Sequence, residues 1–226
     1  MRQGMGPALL ATAGLMLTAC SGGDKEPETV APPPPAPTQD VETPPPSSDR
    51  GSWREVATEH DRGRIRNWYD AWKTALSSAN GGGNADKIKQ QGVLLDPEAA
   101  LPNPHLPPGN YKCRTFKLGS RSGTGGLTYI DYPWFSCRVS AEQNIFSLTK
   151  LTGSQRATGL IFEDNDRRQI FLGTMVLGDE SGPRNYGTDK ARDMAGIVER
   201  IGSQRWRVVF PYPAYESQLD VMEIVP

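Results

Sequence analysis

The chain has 226 residues, with 25 Lys and Arg against 26 Asp and Glu and a formal net charge of −1. No basic run breaks that balance, so the electrostatic footprint of a nucleic-acid binder is missing and no such partner is expected. With a leader and a tail set aside, the length leaves room for one core domain of ordinary size.

Residues 1–19 read as a secretory signal: Arg2 gives a weakly positive start, and 6–19 form an apolar run punctuated by small residues. That run is shorter than the roughly 20 apolar residues a permanent membrane helix needs. It ends in Leu17-Thr18-Ala19-Cys20, which resembles a bacterial lipobox. In lipoproteins generally the motif implies that Cys20 is acylated and becomes the mature N-terminus. Ser21, where an aspartate could stand, resembles the address for the outer membrane. The expectation is a lipid-anchored protein on the periplasmic face of the cell envelope, its membrane contact made through Cys20. The plainer alternative is a cleaved signal followed by an incidental cysteine. Several acyl chains, each contributing about 0.8 kcal/mol per buried CH₂, make such an anchor stable.

Residues 20–52 change to Pro, Glu, Thr, Ser and Ala, with solid proline runs at 32–35 and 44–46. Too few apolar residues remain to offset the entropy of ordering, so a disordered tether is expected. Fully drawn out at ~3.1 Å per residue it reaches roughly 100 Å. A spacer is the simpler reading, and a docking peptide for a proline-recognising partner the alternative.

The remainder, 53–226, reads as one globular domain made of a helical segment (53–108) and a β-rich segment (109–226). Ser52-Trp53-Arg54-Glu55 fits a capping box, and Thr58 with Asp61 offers a second, competing start. Ile65, Trp68, Tyr69, Trp72, Ala75 and Leu76 recur at three- and four-residue spacing, which predicts one amphipathic helix, broken if anywhere near Gly63. Trp68 and Trp72 are expected to cover the core of the following domain. A short helix is expected at 86–91, and Asp96-Pro97 looks like a cap and first position of one further helical turn. The prolines at 102, 104, 107 and 108 make the next segment irregular.

From Tyr111 the text changes to short apolar runs separated by turn residues. Eight strands are predicted: 111–118, 134–141, 146–151, 158–163, 169–177, 196–201, 205–210 and 219–225. Asp164-Asn165-Asp166 and Gly202-Ser203-Gln204 are hairpin-type punctuation. Trp206, Val208 and Phe210 alternate with Arg205 and Arg207, as for a strand with one wet face. Gly153-Ser154-Gln155-Arg156 recurs as Gly202-Ser203-Gln204-Arg205, each at the junction of two predicted strands, and its expected role is local turn geometry. Many short strands at this spacing argue for a small antiparallel barrel, calycin- or lipocalin-like, or for a sandwich. Closure would remove aggregation-prone edges.

With Cys20 assigned to the lipid, Cys113 and Cys137 remain as one pair, in a compartment where such pairs close. The bridge would stabilise the fold by about 3 kcal/mol in the chain-entropy model. The rival, a redox-active pair, lacks Cys-x-x-Cys spacing.

Catalytic patterns are not apparent. His60 and His105 are the only histidines, and no metal-ligand spacing surrounds them. No Gly-x-Ser-x-Gly elbow occurs, and Gly123, Gly125 and Gly126 do not open a helix, so neither a nucleophile nor a phosphate-cradling loop is expected. The acidic groups Glu163, Asp164 and Asp166, then Asp179 and Glu180, then Asp189 and Asp193, read as solvated turns, with hydrolysis or Ca²⁺ binding as alternatives. The more interesting surface is aromatic: Tyr129, Tyr132 and Trp134 precede one strand, and Tyr212 and Tyr215 follow another, both beside prolines. If both segments meet at one barrel end they form an apolar rim for a ligand; packing against the N-terminal helix is the alternative.

The run Arg66-Asn67-Trp68-Tyr69-Asp70-Ala71-Trp72, the segment LLDPEAALPNPHLPPGNYKCRTFKLG, and the motifs KLTGSQR, FLGTMVLGDE, DMAGIVERIGSQRW and ESQLDVMEIVP resemble the bacterial domain-of-unknown-function family DUF4893. The resemblance runs from about Trp53 to the C-terminus and implies no activity, cofactor or catalytic residue. The expectation is a mainly β domain with N-terminal helices, lipid-anchored in the envelope, acting as a binding or structural module. Its partner would be an envelope protein or a small apolar ligand, with no cofactor or metal. The alternatives are a periplasmic protease inhibitor and, last, a hydrolase using an acidic cluster.

Overall fold

The computed structural model describes residues 51–122 and 126–226. The expected signal, Cys20, the tether and the connection at Gly123 and Gly125 lie outside the described residues.

All eight expected strands are present, most of them longer than predicted: β1 (Gly109–Ser120), β3 (Phe135–Glu142), β4 (Ile145–Lys150), β5 (Gln155–Asn165), β6 (Arg168–Leu177), β7 (Asp193–Gly202), β8 (Arg205–Pro211) and β9 (Ser217–Val225). A short β2 (Tyr129–Asp131) was not expected from the sequence. The sheet is antiparallel throughout, and pairing of β1 with β9 closes it into a barrel of all these strands except β2. The sandwich alternative is thereby excluded. β2 and β3 share one edge of β1: Gly109–Cys113 pair with β3, and Phe116–Leu118 pair with β2. Pro133, which has no N–H to donate, lies between them.

Alternation along the strands sorts side chains into two layers. Cys113, Val139, Leu148, Ile161, Phe171, Val198, Trp206, Val208, Phe210, Met222 and Ile224 fill the interior. Eight strands enclose just enough room for such a filling or for one small ligand. Gly159 and Gly173 face one another across β5 and β6, where a Cβ on either would lie 2.2–2.3 Å from a backbone oxygen. Their lack of side chains lets these strands approach and bend.

The opposite phase is also apolar on one side of the barrel, because helices cover it. The predicted single helix is three: α1 (Trp53–Val56), α2 (Glu59–Arg66) and α3 (Trp68–Gly81). Both predicted caps operate in succession rather than in competition. Ser52 Oγ accepts from the Arg54 amide at 3.3 Å and Thr58 Oγ1 from the Asp61 amide at 3.2 Å. The second break falls at Asn67, whose side chain donates to the Gly63 carbonyl at 3.0 Å, not at Gly63 itself. Ala71, Trp72, Ala75 and Ala79 are the buried face of α3; small residues bring the helix close and Trp72 fills the gap. They pack with Phe116, Leu118, Ile197, Val209, Leu219 and Val221 on the outside of the barrel, which is the covering role expected for Trp72. α4 (Ala85–Gln91) matches the expected short helix. A 3₁₀ turn (Gly92–Leu95) follows, and the helical turn expected after Asp96 is an ordinary turn instead, closed by the Glu98 amide on Asp96 Oδ1 at 2.9 Å.

Arg207 corrects the expectation of a wet face on β8, since it is fully buried under the helical layer. It occupies the middle of a cross-strand row of alternating charge, Arg114–Glu223–Arg207–Glu199–Arg168, each in direct register with the next. Arg207 Nε donates to Glu199 at 2.8 Å, and its Nη1 donates to the carbonyls of Leu94 at 2.8 Å and Asp96 at 2.7 Å. The Leu94 carbonyl, near the end of the 3₁₀ turn, has no partner within it, and the Asp96 carbonyl just beyond it also accepts from the Ala99 amide at 3.2 Å. Trp72 and Trp68 lie over the guanidiniums of Arg207 and Arg168 at 5.0 and 4.2 Å, so the helical layer is joined to the barrel by charge as well as by apolar packing.

The repeated Gly-Ser-Gln-Arg tetrapeptide takes two different shapes. Gly153 has φ +92° in the four-residue β4–β5 connection, whereas Ser203-Gln204 is a two-residue hairpin loop at the opposite barrel end. The two copies share no turn geometry.

Candidate functional site at the open end of the barrel

The two ends of the barrel differ. At one end the strands are joined by tight loops, Gln143-Asn144, Asp166-Arg167 and Ser203-Gln204. Gln143 and Asn144 both have positive φ, as a hairpin turn matched to strand twist requires. The proline-rich segment crosses this end: Trp206 donates to the His105 carbonyl at 3.0 Å, and Leu106 enters the interior cluster. That end is plugged.

The other end carries the longer connections between β4 and β5, β6 and β7, and β8 and β9, and it is open. A cavity of about 100 Å³ enters the barrel there, lined by apolar Phe135, Ala157, Met175, Met194, Phe210 and Met222 and by polar Thr115, Lys117, Lys150, Gln155 and Asp220. Lys117 Nζ donates to Asp220 Oδ2 at 2.9 Å and lies 3.3 Å from Glu216 on the rim. Burial works against the charge on Lys117, but Asp220 and Glu216 outweigh it and hold the ammonium above its ordinary range. Burial pushes the Asp220 carboxyl up, opposed by Lys117 and by the hydroxyl of Ser217, which donates to the second oxygen.

Lys150 is different. It is 7 % exposed, donates to the Gln155 carbonyl at 2.9 Å and lies 4.0 Å from the Phe135 ring centre. Among the described residues no carboxylate lies within ion-pair distance of it, and both oxygens of Asp220 are already engaged. Burial, with Lys117 and Arg156 nearby, pushes the Lys150 ammonium down to about 8.

The rim is braced by Arg64, Tyr186 and Arg192, which the sequence does not single out, acting on Asp61, Glu180 and Asp193, which it does. Arg64 of α2 donates to the Pro211 carbonyl at 3.1 Å, the Asp193 carbonyl at 3.2 Å and the Asp61 carboxylate at 3.0 Å. It thus holds the end of one rim connection and the start of another. Tyr186, inside the β6–β7 connection, donates to Asp61 at 2.6 Å; burial and this carboxylate push its hydroxyl well above the ordinary range. Arg192 and Glu180 close the same connection with bonds of 2.8 and 2.9 Å, which, with the Leu177 amide, hold the Glu180 carboxyl down at about 2. Burial pushes Asp193 up, while the Gly187 amide donates to it at 2.9 Å.

The predicted aromatic segments both lie at this open end, where Arg121 of the β1–β2 connection donates to the Pro213 carbonyl. Their side chains diverge. Tyr132 lines the cavity. Tyr129 is buried on the outer face against Phe116, with Lys87 over its ring. Tyr212, at φ 48°, packs against the helical layer. Trp134 stacks on Arg114 and, like Tyr215, is exposed. Cys113 and Cys137 form the expected disulfide, with Cα atoms 5.9 Å apart, tying β1 to β3 inside the barrel. The acidic groups are spread between the two ends: Asp164 accepts from Trp53 at 2.7 Å and from Arg54, Glu163 accepts from Gln169, and Asp189 pairs with Arg184. His60 lies beside Asp61, and His105 at the plugged end is 3.7 Å from Glu163.

One signal could have found the cavity's charges. Lys117 is in phase with Cys113 and Thr115, Lys150 with Phe146 and Leu148, and Asp220 with Met222 and Ile224. Each is a charge on an inward face near a strand end. Comparison with curated proteins and with solved structures returns no match. The family model described as a domain of unknown function, DUF4893, matches residues 53–224, and the chain belongs to that family.

Proposed function

We propose that this protein is a lipid-anchored binding module of the cell envelope, whose ligand enters the open end of the barrel. The observation that supports this reading is the cavity itself. It penetrates a barrel plugged at the other end, and it pairs an apolar wall with a few convergent polar groups, as small-molecule sites do. At about 100 Å³ it accepts a small molecule or the end of a larger one; a cavity of ~150 Å³ holds a benzene ring. Cys20 supplies the anchor in this reading, and the proline-rich tether holds the domain off the membrane surface.

The wall carries its own reporters. With methyl-labelled methionine, a small ligand in the barrel shifts the Met175, Met194 and Met222 resonances together, and Ala157→Phe, which fills the space, removes the response. Unshifted methyls across a set of small envelope metabolites would remove the binding reading. Anchoring is tested separately, by release of Cys20→Ser from the membrane fraction.

A further inference from the structure

We infer that the open-end cavity takes the carboxylate end of a small organic anion, with the Lys150 ammonium as its counter-ion. The inference rests on reading this cavity as a ligand site, and it specifies the charge and size of what enters.

Lys117, Lys150 and Asp220 are buried and line the same space. Asp220 is committed on both oxygens, to Lys117 and to Ser217. Glu216 on the rim also sits against Lys117, at 3.3 Å, so both carboxylates of the cluster serve Lys117 and Lys150 has none of its own. An ammonium out of water without an opposite charge is costly, and the ordinary solution is a carboxylate partner or an outward path to solvent. Among the described residues Lys150 has no carboxylate within ion-pair distance; the Gln155 carbonyl at 2.9 Å and the Phe135 ring at 4.0 Å face its ammonium, and what remains open to it is the cavity. An ammonium can donate three bonds, so it can also donate to an incoming oxygen.

The groups that act on Lys150 from the surrounding elements agree on the sign. Lys117 on β1 and Arg156 on β5 raise the positive potential, and Asp220 on β9 partly offsets it. Tyr132 is the remaining titratable group lining the cavity, and Glu216 stands at the rim beside Lys117. β6 and β7 contribute Met175 and Met194, with no charge. The thioethers and Phe210 form an apolar wall for a short hydrocarbon tail. A carboxylate on two to four carbons suits a space of about 100 Å³; a phosphate with no tail would leave that wall uncovered.

Binding an anion beside Lys150 favours its protonated form, so above pH 8 binding takes up protons and affinity falls as pH rises. Butyrate, butyramide and butylamine each have four carbons and differ in the charge of the head. On the full chain, followed by the methionine methyl shifts, butyrate is expected to bind at least tenfold more tightly than either analogue. Lys150→Met should reduce its affinity to that of butyramide. In calorimetry at pH 8 with buffers of different ionisation enthalpy, butyrate binding should take up about half a proton. If butyramide matches butyrate, or Lys150→Met keeps full butyrate affinity, the ammonium is not the counter-ion and the inference fails while the cavity remains a ligand site. If none of the three moves the methyls in either protein, the ligand-site reading falls with it.

Discussion

Two buried cations, one on each side of the barrel wall, are handled in opposite ways. Arg207, on the outer side, has its charge matched: Glu199 is in register beside it, the Leu94 and Asp96 carbonyls are in front and the Trp72 ring is above. Lys150, on the inner side, has one carbonyl, one ring and two like charges nearby. The first arrangement joins layers of structure, because the guanidinium's fixed fork reaches both a carboxylate of the barrel and carbonyls of the helical layer. The second leaves a charge waiting in an accessible space, which suits a site that completes itself with something from outside.

The comparison is sharpest in unfolding free energies. Arg207→Met leaves Glu199 short of its buried partner and frees the 3₁₀ carbonyls. It should destabilise by about 3–5 kcal/mol in urea titration, with the helical layer exchanging amide protons first. Replacing both Cys113 and Cys137 by Ala removes the link between β1 and β3, next to the cavity but not part of its charge balance. The expected cost is about 3 kcal/mol in the same measurement.

Lys150→Met should go the other way and stabilise the empty protein at neutral pH. The sign follows from proton counting. The folded value is about 8 against the ordinary lysine value of 10.5. Between those limits the unfolded chain holds a proton that the folded chain has released, so wild-type stability rises with pH across that window and is flat for this group below it. Relative to Lys150→Met, the wild type should gain up to about 3 kcal/mol from pH 8 to 10.5. A pH-independent difference between the two proteins would count against an uncompensated charge. The smallest effect is expected at Trp134→Ala. That ring is exposed and stacked outside on Arg114, so stability should change by less than about 1 kcal/mol and the cavity's methyl shifts with butyrate should be unaltered.

Much of the architecture is legible in the sequence because it is written locally. Turn residues and alternation locate eight strands, and the bulges at Glu163/Asn165 and Arg200/Gly202 explain why each hairpin carries more turn-like residues than its loop needs. Inside and outside are harder to tell apart. Phe116, Leu118, Leu219 and Val221 make the outer phase as apolar as the inner one, because helices cover it. Phase groups Lys150 with Phe146 and Leu148, and Arg207 with Val209, but which of the two faces is the inner one is settled only by strand pairing. The aromatic rim fails as a guide for a related reason. Its prolines correctly mark chain reversals at the open end, but Tyr129 and Tyr212 turn to the helical layer and only Tyr132 lines the cavity. Arg64 and Tyr186 brace the rim through contacts across more than a hundred residues, which periodicity does not encode.

The unmatched inner charge can be read directly by following the side-chain Cε resonance of Lys150 through a pH titration, with Lys150→Met for assignment. A midpoint near 8 that moves upward when butyrate is added is the predicted result. A midpoint at the ordinary lysine value, unmoved by butyrate, would contradict it.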